Sequence, residues 1–235
     1  MSNHNEGKRT LAFVIYPGLT VFDLVGPLQT LTRFTRFAPQ YETSVVAESI
    51  EPVESDDGLK FLPDKSFAEV PHPYALIVPG GGIPTLKAMS SPAIRKYVLT
   101  AAETAEAVVS VCTGALILAS VGLLGGKQVP THWAFAKYLE SFGAQYVRKR
   151  WVEDGKFLVT AGVSAGIDGA LALVTRLSDP ETARLVQLSI EYDPQPPGEM
   201  DYSYRDNLTR VLTTGIALMR PFYTAEPRRL IKRGI

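Results

Sequence analysis

The stretch Ala107-Val108-Val109-Ser110-Val111-Cys112-Thr113-Gly114-Ala115-Leu116-Ile117-Leu118-Ala119-Ser120-Val121 decides the fold. Its first residues are β-branched and continuous in hydrophobicity, the chemistry of a strand buried on both faces. From Thr113 to Val121 the residues are good helix formers, and Gly122 and Gly125-Gly126 end the run. A strand therefore passes into a helix with almost no loop between. The whole uncharged run from Ala107 to Gly126 is long enough to suggest a membrane span. Its four glycines and its strand-like first half argue instead for a buried strand, a turn and a buried helix in series.

Outward from this stretch the same alternation repeats. Thr10 to Ile15, Thr43 to Ala47, Tyr74 to Val78 and Phe157 to Thr160 read as strands. Val53 to Leu62, with Asp57-Gly58 at its centre, reads as a hairpin. Val21, Leu24, Val25, Leu28 and Leu31 have helical spacing after Thr20. Ser91-Pro92 supplies an N-cap and a first-turn proline for a helix through Ile94, Tyr97, Val98, Ala101, Ala102 and Ala105. Trp133 to Phe142, Ala165 to Leu177 and Pro180 to Glu191 read as further helices. Asp193 to Gly198 breaks the chain, and Leu208, Val211, Leu212, Ile216 and Met219 mark one more amphipathic helix. Strand and helix in alternation predict an α/β fold with a mostly parallel central sheet and helices on both faces. The expected organisation is a disordered tail over residues 1–9, one domain over 10–220 and a basic tail over 221–235.

Composition sets limits on function. The 235 residues carry 24 Lys+Arg against 24 Asp+Glu, so no net charge draws the chain to nucleic acid or an anionic membrane. Arg228, Arg229, Lys232 and Arg233 form the one basic cluster, read as a solvated tail. A single cysteine permits no internal disulfide, and Met1 to Arg9 has no apolar core. Both features fit a reducing, cytoplasmic setting. Three histidines and one cysteine offer no metal-ligand spacing, so no metal and no cofactor are expected.

Catalytic groups in such folds gather beyond the carboxyl ends of the strands. Cys112 sits at the strand-to-helix passage with Ser110 and Gly114 two positions either side, the layout of a nucleophile elbow. The helix start favours a thiolate there. The alternative is a cysteine that only fills core space. Gly80-Gly81-Gly82 ends the central strand at Val78, and its amides, with that of Thr113, are candidates for an oxyanion pocket. Asp23 falls off the apolar stripe of the first helix, which is compatible with a solvated carboxylate. It also lies at the same sheet edge as Cys112. A carboxyl beside sulfur would hold its proton and serve as acid and base. His132, in Pro130-Thr131-His132-Trp133, is a structural residue or a second-layer neighbour of Cys112; His4 and His72 have no catalytic setting.

These residues resemble the ThiJ/PfpI superfamily, relatives of class I glutamine amidotransferases. The likeness rests on Ile77-Val78-Pro79-Gly80-Gly81, Val111-Cys112-Thr113-Gly114-Ala115, Thr131-His132-Trp133 and Ala165-Gly166-Ile167-Asp168. Within it the chain is most similar to isonitrile hydratases, through Asp23 in Phe22-Asp23-Leu24-Val25-Gly26-Pro27, Thr113 after the cysteine, the Gly162–Asp168 run, and Glu191-Tyr192-Asp193-Pro194-Gln195-Pro196-Pro197. Many members with protease, deglycase or glyoxalase chemistry carry histidine after the cysteine and glutamate near the first strand. Thr113 and Asp23 depart from that pattern.

The resemblance implies a flavodoxin-like three-layer sandwich and a homodimer acting on a small-molecule substrate. It implies Cys112 as nucleophile, Asp23 as its carboxyl partner, and backbone contacts to substrate from Gly81, Thr113 and Val163. The implied activity is that of a hydro-lyase, hydrating isonitriles to N-substituted formamides. Two other outcomes stay open. One is a glyoxalase or deglycase of the same superfamily. The other is a ligand or redox sensor like the regulatory domains of helix-turn-helix transcription regulators, although the chain after Gly198 is too short for a two-motif DNA-binding region.

Overall fold

The computed structural model describes residues 7–198. The expected helix after Met200, the basic tail, His4 and most of the expected N-terminal tail lie outside the described residues. In chain order the elements are β1 (Arg9–Val14), α1 (Val21–Phe37), β2 (Tyr41–Ala47), β3 (Val53–Glu54), β4 (Lys60–Phe61), β5 (Lys65–Ser66) and β6 (Ala75–Val78). Next come α2 (Pro84–Ala88), α3 (Pro92–Thr104), β7 (Ala107–Ser110), α4 (Gly114–Ser120) and β8 (Gln128–Val129). The order closes with α5 (Ala136–Glu140), β9 (Gln145–Tyr146), β10 (Trp151–Asp154), β11 (Phe157–Thr160), α6 (Ala165–Leu177) and α7 (Pro180–Ser189).

Seven strands form the central sheet in the order β10-β11-β7-β6-β1-β2-β5. Every pairing is parallel except β10 with β11. Ala75–Val78 and Ala107–Ser110 are buried at every position, as continuous apolar runs in a covered parallel sheet should be. Each large aliphatic side chain buried there contributes about 1.5–3 kcal/mol relative to exposure. From β1 the chain moves outward through α1 to β2; from β6 it moves the other way through α3 to β7. With right-handed crossovers this reversal puts α1 and α3 on opposite faces. α6 and α7 join α1 on its face, while α2 and α5 pack on α4. The expected sandwich is therefore present, and the reversal leaves a crevice between the carboxyl ends of β1 and β6.

Most expected elements appear within a residue or two of their ends. Ser91 caps α3 through its side chain, which accepts from the Ile94 amide, and β3 and β4 pair antiparallel about Asp57-Gly58. Differences have local causes. Trp133 to Phe142 is not one helix but a 3-10 turn over Trp133–Phe135 followed by α5. The His132 ring nitrogen accepts from the Ala134 amide and fixes that tight first turn. β10 escaped the reading because its side chains alternate between exposed and half-buried. Asp154-Gly155, with Gly155 at φ 60°, turns it back onto β11. α2, β5, β8 and β9 are too short to leave a period.

Candidate active site

The crevice holds the candidate residues. Cys112 follows β7 and has φ 56°, a left-handed conformation that a non-glycine residue adopts at a cost of about 1–3 kcal/mol. Three hydrogen bonds hold the strained turn. The Val111 amide donates to the Val78 carbonyl at 3.0 Å, the Cys112 amide to the Ala161 carbonyl at 3.0 Å, and the Thr131 hydroxyl to the Cys112 carbonyl at 2.8 Å. Gly114 is obligatory beside it, because a Cβ there would lie 2.1 Å from the Val78 carbonyl oxygen. The small residue expected after the elbow is thus demanded by the neighbouring strand.

Asp23, in the first turn of α1, is completely buried. The buried stripe of α1 runs through Asp23, Pro27, Thr30 and Phe34 as well as Leu24 and Leu31. Asp23 therefore points inward even though it lies off the aliphatic spacing. Its Oδ2 accepts the Gly80 amide at 3.1 Å. Oδ1 is buried without a hydrogen-bond partner, and the Cys112 thiol interacts with the carboxyl. A Cβ at position 80 would come within 2.7 Å of Asp23 Oδ2 and 2.6 Å of the Thr113 nitrogen, so only glycine lets the acid, the turn and the elbow meet.

The pair has unusual proton affinity. Burial pushes the Asp23 carboxyl up to about 7, against the opposing pull of its hydrogen bonds with Cys112 and the Gly80 amide. Burial, and then the charge of Asp23, push the Cys112 thiol up; the amides of Thr113 and Val163 pull it down. The expected thiolate is therefore opposed by its surroundings. α4 has seven residues, which limits what its dipole can supply. The two groups titrate as a unit. Like-charge repulsion limits the pair to one negative charge near neutral pH; the Thr113 and Val163 amides favour placing it on sulfur, and the Gly80 amide on the carboxylate. Cys112 is buried, 4% exposed.

The glycine turn behaves differently from the expectation. The amides of Gly81 and Gly82 donate to Thr113 Oγ1 at 3.0 and 3.1 Å. Gly81, expected to hold substrate, has its single donor engaged inside the protein. With two bonds accepted, the Thr113 hydroxyl donates onward to Thr85 Oγ1 at 2.8 Å. Tyr16 donates to the Pro79 carbonyl at 3.0 Å, so the 3.1 Å contact between Thr85 and Tyr16 runs from threonine to tyrosine. The three hydroxyls of this directed chain are buried, and they tie the turn after β1, the glycine turn, α2 and the elbow together. Sequence reasoning missed Tyr16 and Thr85. Tyr16 beside the Pro17-Gly18 turn was the available signal; α2 gave none. Thr113→Val, which keeps the shape and removes the hydroxyl, should cost about 2–4 kcal/mol in urea denaturation, because two amides and Thr85 lose their partner. A loss below about 0.5 kcal/mol would mean the chain is idle.

His132 and Val163 lie on the far side of the elbow. The His132 ring packs against Gly162, where a Cβ would meet it at 2.6 Å, and burial lowers its pKa toward the neutral form. Thr131, rather than His132, makes the hydrogen bond to Cys112. Val163 has φ 20°, a strained value for a β-branched residue, in the loop that carries its amide to the sulfur. A cavity of about 360 Å³ opens between α1, α6 and the turn after α7, lined in part by Phe22, Val25, Ile167 and Tyr192. Among the described residues no cluster of three or more His, Cys, Asp or Glu is arranged to hold a metal. None of the described helices is long and apolar enough to cross a membrane.

Known proteins resemble this chain to different degrees. An isonitrile hydratase of Pseudomonas putida is 38% identical over 188 residues, covering 80% of this chain and 80% of that protein. The crystal structure of a ThiJ/PfpI family protein from Pseudomonas syringae superposes with a TM-score of 0.80 at 34% identity, covering 96% of this chain and 91% of that one. The HTH-type transcriptional regulator CdhR of Pseudomonas aeruginosa is 28% identical over 183 residues, which is 77% of this chain but 53% of the regulator. The profile of the DJ-1/PfpI family matches residues 9–176. That span runs from the first residue of β1 almost to the end of α6 and contains the whole sheet and the elbow, and the chain belongs to the DJ-1/PfpI family.

Proposed function

We propose that the chain hydrates isonitriles to N-substituted formamides, with Cys112 as nucleophile and Asp23 as acid and base. The observation that carries the reading is the buried Asp23–Cys112 pair with Thr113 directly after the cysteine, together with the 38% identity to an isonitrile hydratase. The pair starts with one proton and one negative charge. Sulfur attacks the terminal carbon of the isonitrile, and Asp23 delivers its proton to that carbon, giving a thioimidate on Cys112. The resulting carboxylate takes a proton from water as the hydroxyl adds to carbon, and the imine nitrogen receives that proton. Loss of the hydroxyl proton to Asp23 forms the formamide carbonyl as the thiolate departs. The sum is one isonitrile plus one water giving one formamide, with the enzyme unchanged. Thr113 and Val163 take part through amides aimed at sulfur, and the chain works as a homodimer.

A panel of isonitriles, methylglyoxal and primary amides tests the proposal. Formamide production well above the rate on the other substrates is expected; lactate from methylglyoxal at a higher rate would replace hydration with glyoxalase chemistry. The likeness to a transcriptional regulator favours a sensor as the second reading. Oxidation of Cys112 without turnover on any panel member would establish that alternative.

A further inference from the structure

Arg150 stands just before β10, 18 residues from Asp168 in α6, and the two form a compact ion pair through Arg150 Nε at 2.6 Å and through Nη2. The other carboxylate oxygen of Asp168 accepts the Tyr192 hydroxyl at 3.1 Å, which closes the group from the segment after α7. At the exposed surface such a pair contributes little stability. Its placement is what matters. Arg150 grips both ends of the loop from Ala161 to Ser164: its carbonyl accepts the Ala161 amide at 2.7 Å, and its Nη2 reaches Ser164 Oγ at 3.5 Å. The same loop touches Cys112 twice, through the Ala161 carbonyl that accepts the Cys112 amide and through the Val163 amide on the sulfur.

We propose that Arg150, Asp168 and Tyr192 form an external clamp of positioning residues that holds the Ala161–Ser164 loop in its strained shape and so keeps the Val163 amide on the Cys112 sulfur. None of the three touches the sulfur. A backbone amide is useful to a thiolate only at hydrogen-bond distance and in line, and Val163 at φ 20° would relax if its flanks were released. The clamp joins the residue just before β10, the first turn of α6 and the segment beyond α7, so it adds a side-chain restraint from outside the loop to the backbone bonds that start α6. The titratable groups that interact with Cys112 are Asp23 from α1 and Tyr16 after β1, and their hydrogen bonds run to Gly80, Pro79 and Thr85 rather than to the clamp.

The inference rests on Cys112 as the reacting group, and its test does not require hydration. Iodoacetamide labelling followed by intact mass reports Cys112 alone, since the chain has one cysteine. Rates are measured from pH 6 to 11 for the wild type, Asp168→Asn, Arg150→Lys and Tyr192→Phe, with thermal unfolding alongside. Asp168→Asn should label about three- to tenfold more slowly at pH 7, with its midpoint moved to higher pH, because a lost amide hydrogen bond to the anion raises the thiol. Arg150→Lys, which keeps charge without the fork, should shift in the same direction by less. A folded Asp168→Asn with an unmoved midpoint overturns the clamp, as does a uniform rate increase at every pH, which would indicate opening alone. Should Asp168→Asn fail to fold, Tyr192→Phe decides: a smaller shift in the same direction supports the clamp and no shift overturns it. Absence of isonitrile turnover in the wild type would count against hydration and leave the labelling comparison intact.

Discussion

Cys112→Ala should leave no isonitrile turnover above background and no substrate-derived mass on the protein. The expected loss is at least about 10⁴-fold in kcat, because the covalent route disappears rather than weakens. The fold should survive. Alanine must adopt the same φ of 56°, but the bonds that hold the turn use backbone groups of residues 111 and 112 and are untouched by the change. Removing one buried sulfur costs about 1–2 kcal/mol. Thermal unfolding therefore separates lost chemistry from lost structure. Cys112→Ser is a sharper control: a hydroxyl fits the space, yet it does not ionise near neutral pH, so turnover should stay at background. Turnover within tenfold of the wild type in either variant would remove sulfur from the mechanism.

The sheet was legible because its signals are local. Continuous apolar runs at Ala75–Val78 and Ala107–Ser110 and the uninterrupted passage to α4 predicted a covered parallel sheet with an elbow. β10 and α2 were not legible, one because its faces differ little in polarity and the other because five residues carry no period. The site was legible as a list and not as a network. Cys112 and Asp23 were named, and the structure brings them together. What Thr113 does depends on where its hydroxyl points relative to Gly81, Gly82 and Thr85, and no spacing encodes a rotamer. The same limit explains why Gly81 was read as a free donor and why Thr131 was overlooked beside His132. Arg150 and Asp168 were the hardest to find, since an exposed arginine and a first-turn acid are ordinary until tertiary structure sets them across one loop.

Asp23→Asn should separate catalysis from stability in opposite directions. The native carboxyl holds its proton up to about pH 7, whereas the unfolded chain releases it at the ordinary carboxylate value of 3.8. The folded state therefore binds more protons than the unfolded state between those values, and stability falls as pH rises through that window. A shift of this size corresponds to about 4 kcal/mol lost by pH 8. Asparagine cannot ionise and still accepts the Gly80 amide, so the variant should match the wild type near pH 4 and exceed it by a few kcal/mol at pH 8. Its side-chain N–H also faces sulfur without a negative charge, so the thiol should ionise more readily and alkylate faster at pH 7. Hydration should nevertheless fall by about 10²–10⁴-fold, because no group remains to give a proton to the isonitrile carbon and take one from water. A more stable protein with a more reactive cysteine and almost no turnover is hard to obtain by any route except loss of an acid–base group. A stability difference that stays constant from pH 4 to 8 would show that the carboxyl ionises normally, and undiminished turnover would show that it takes no part in proton transfer.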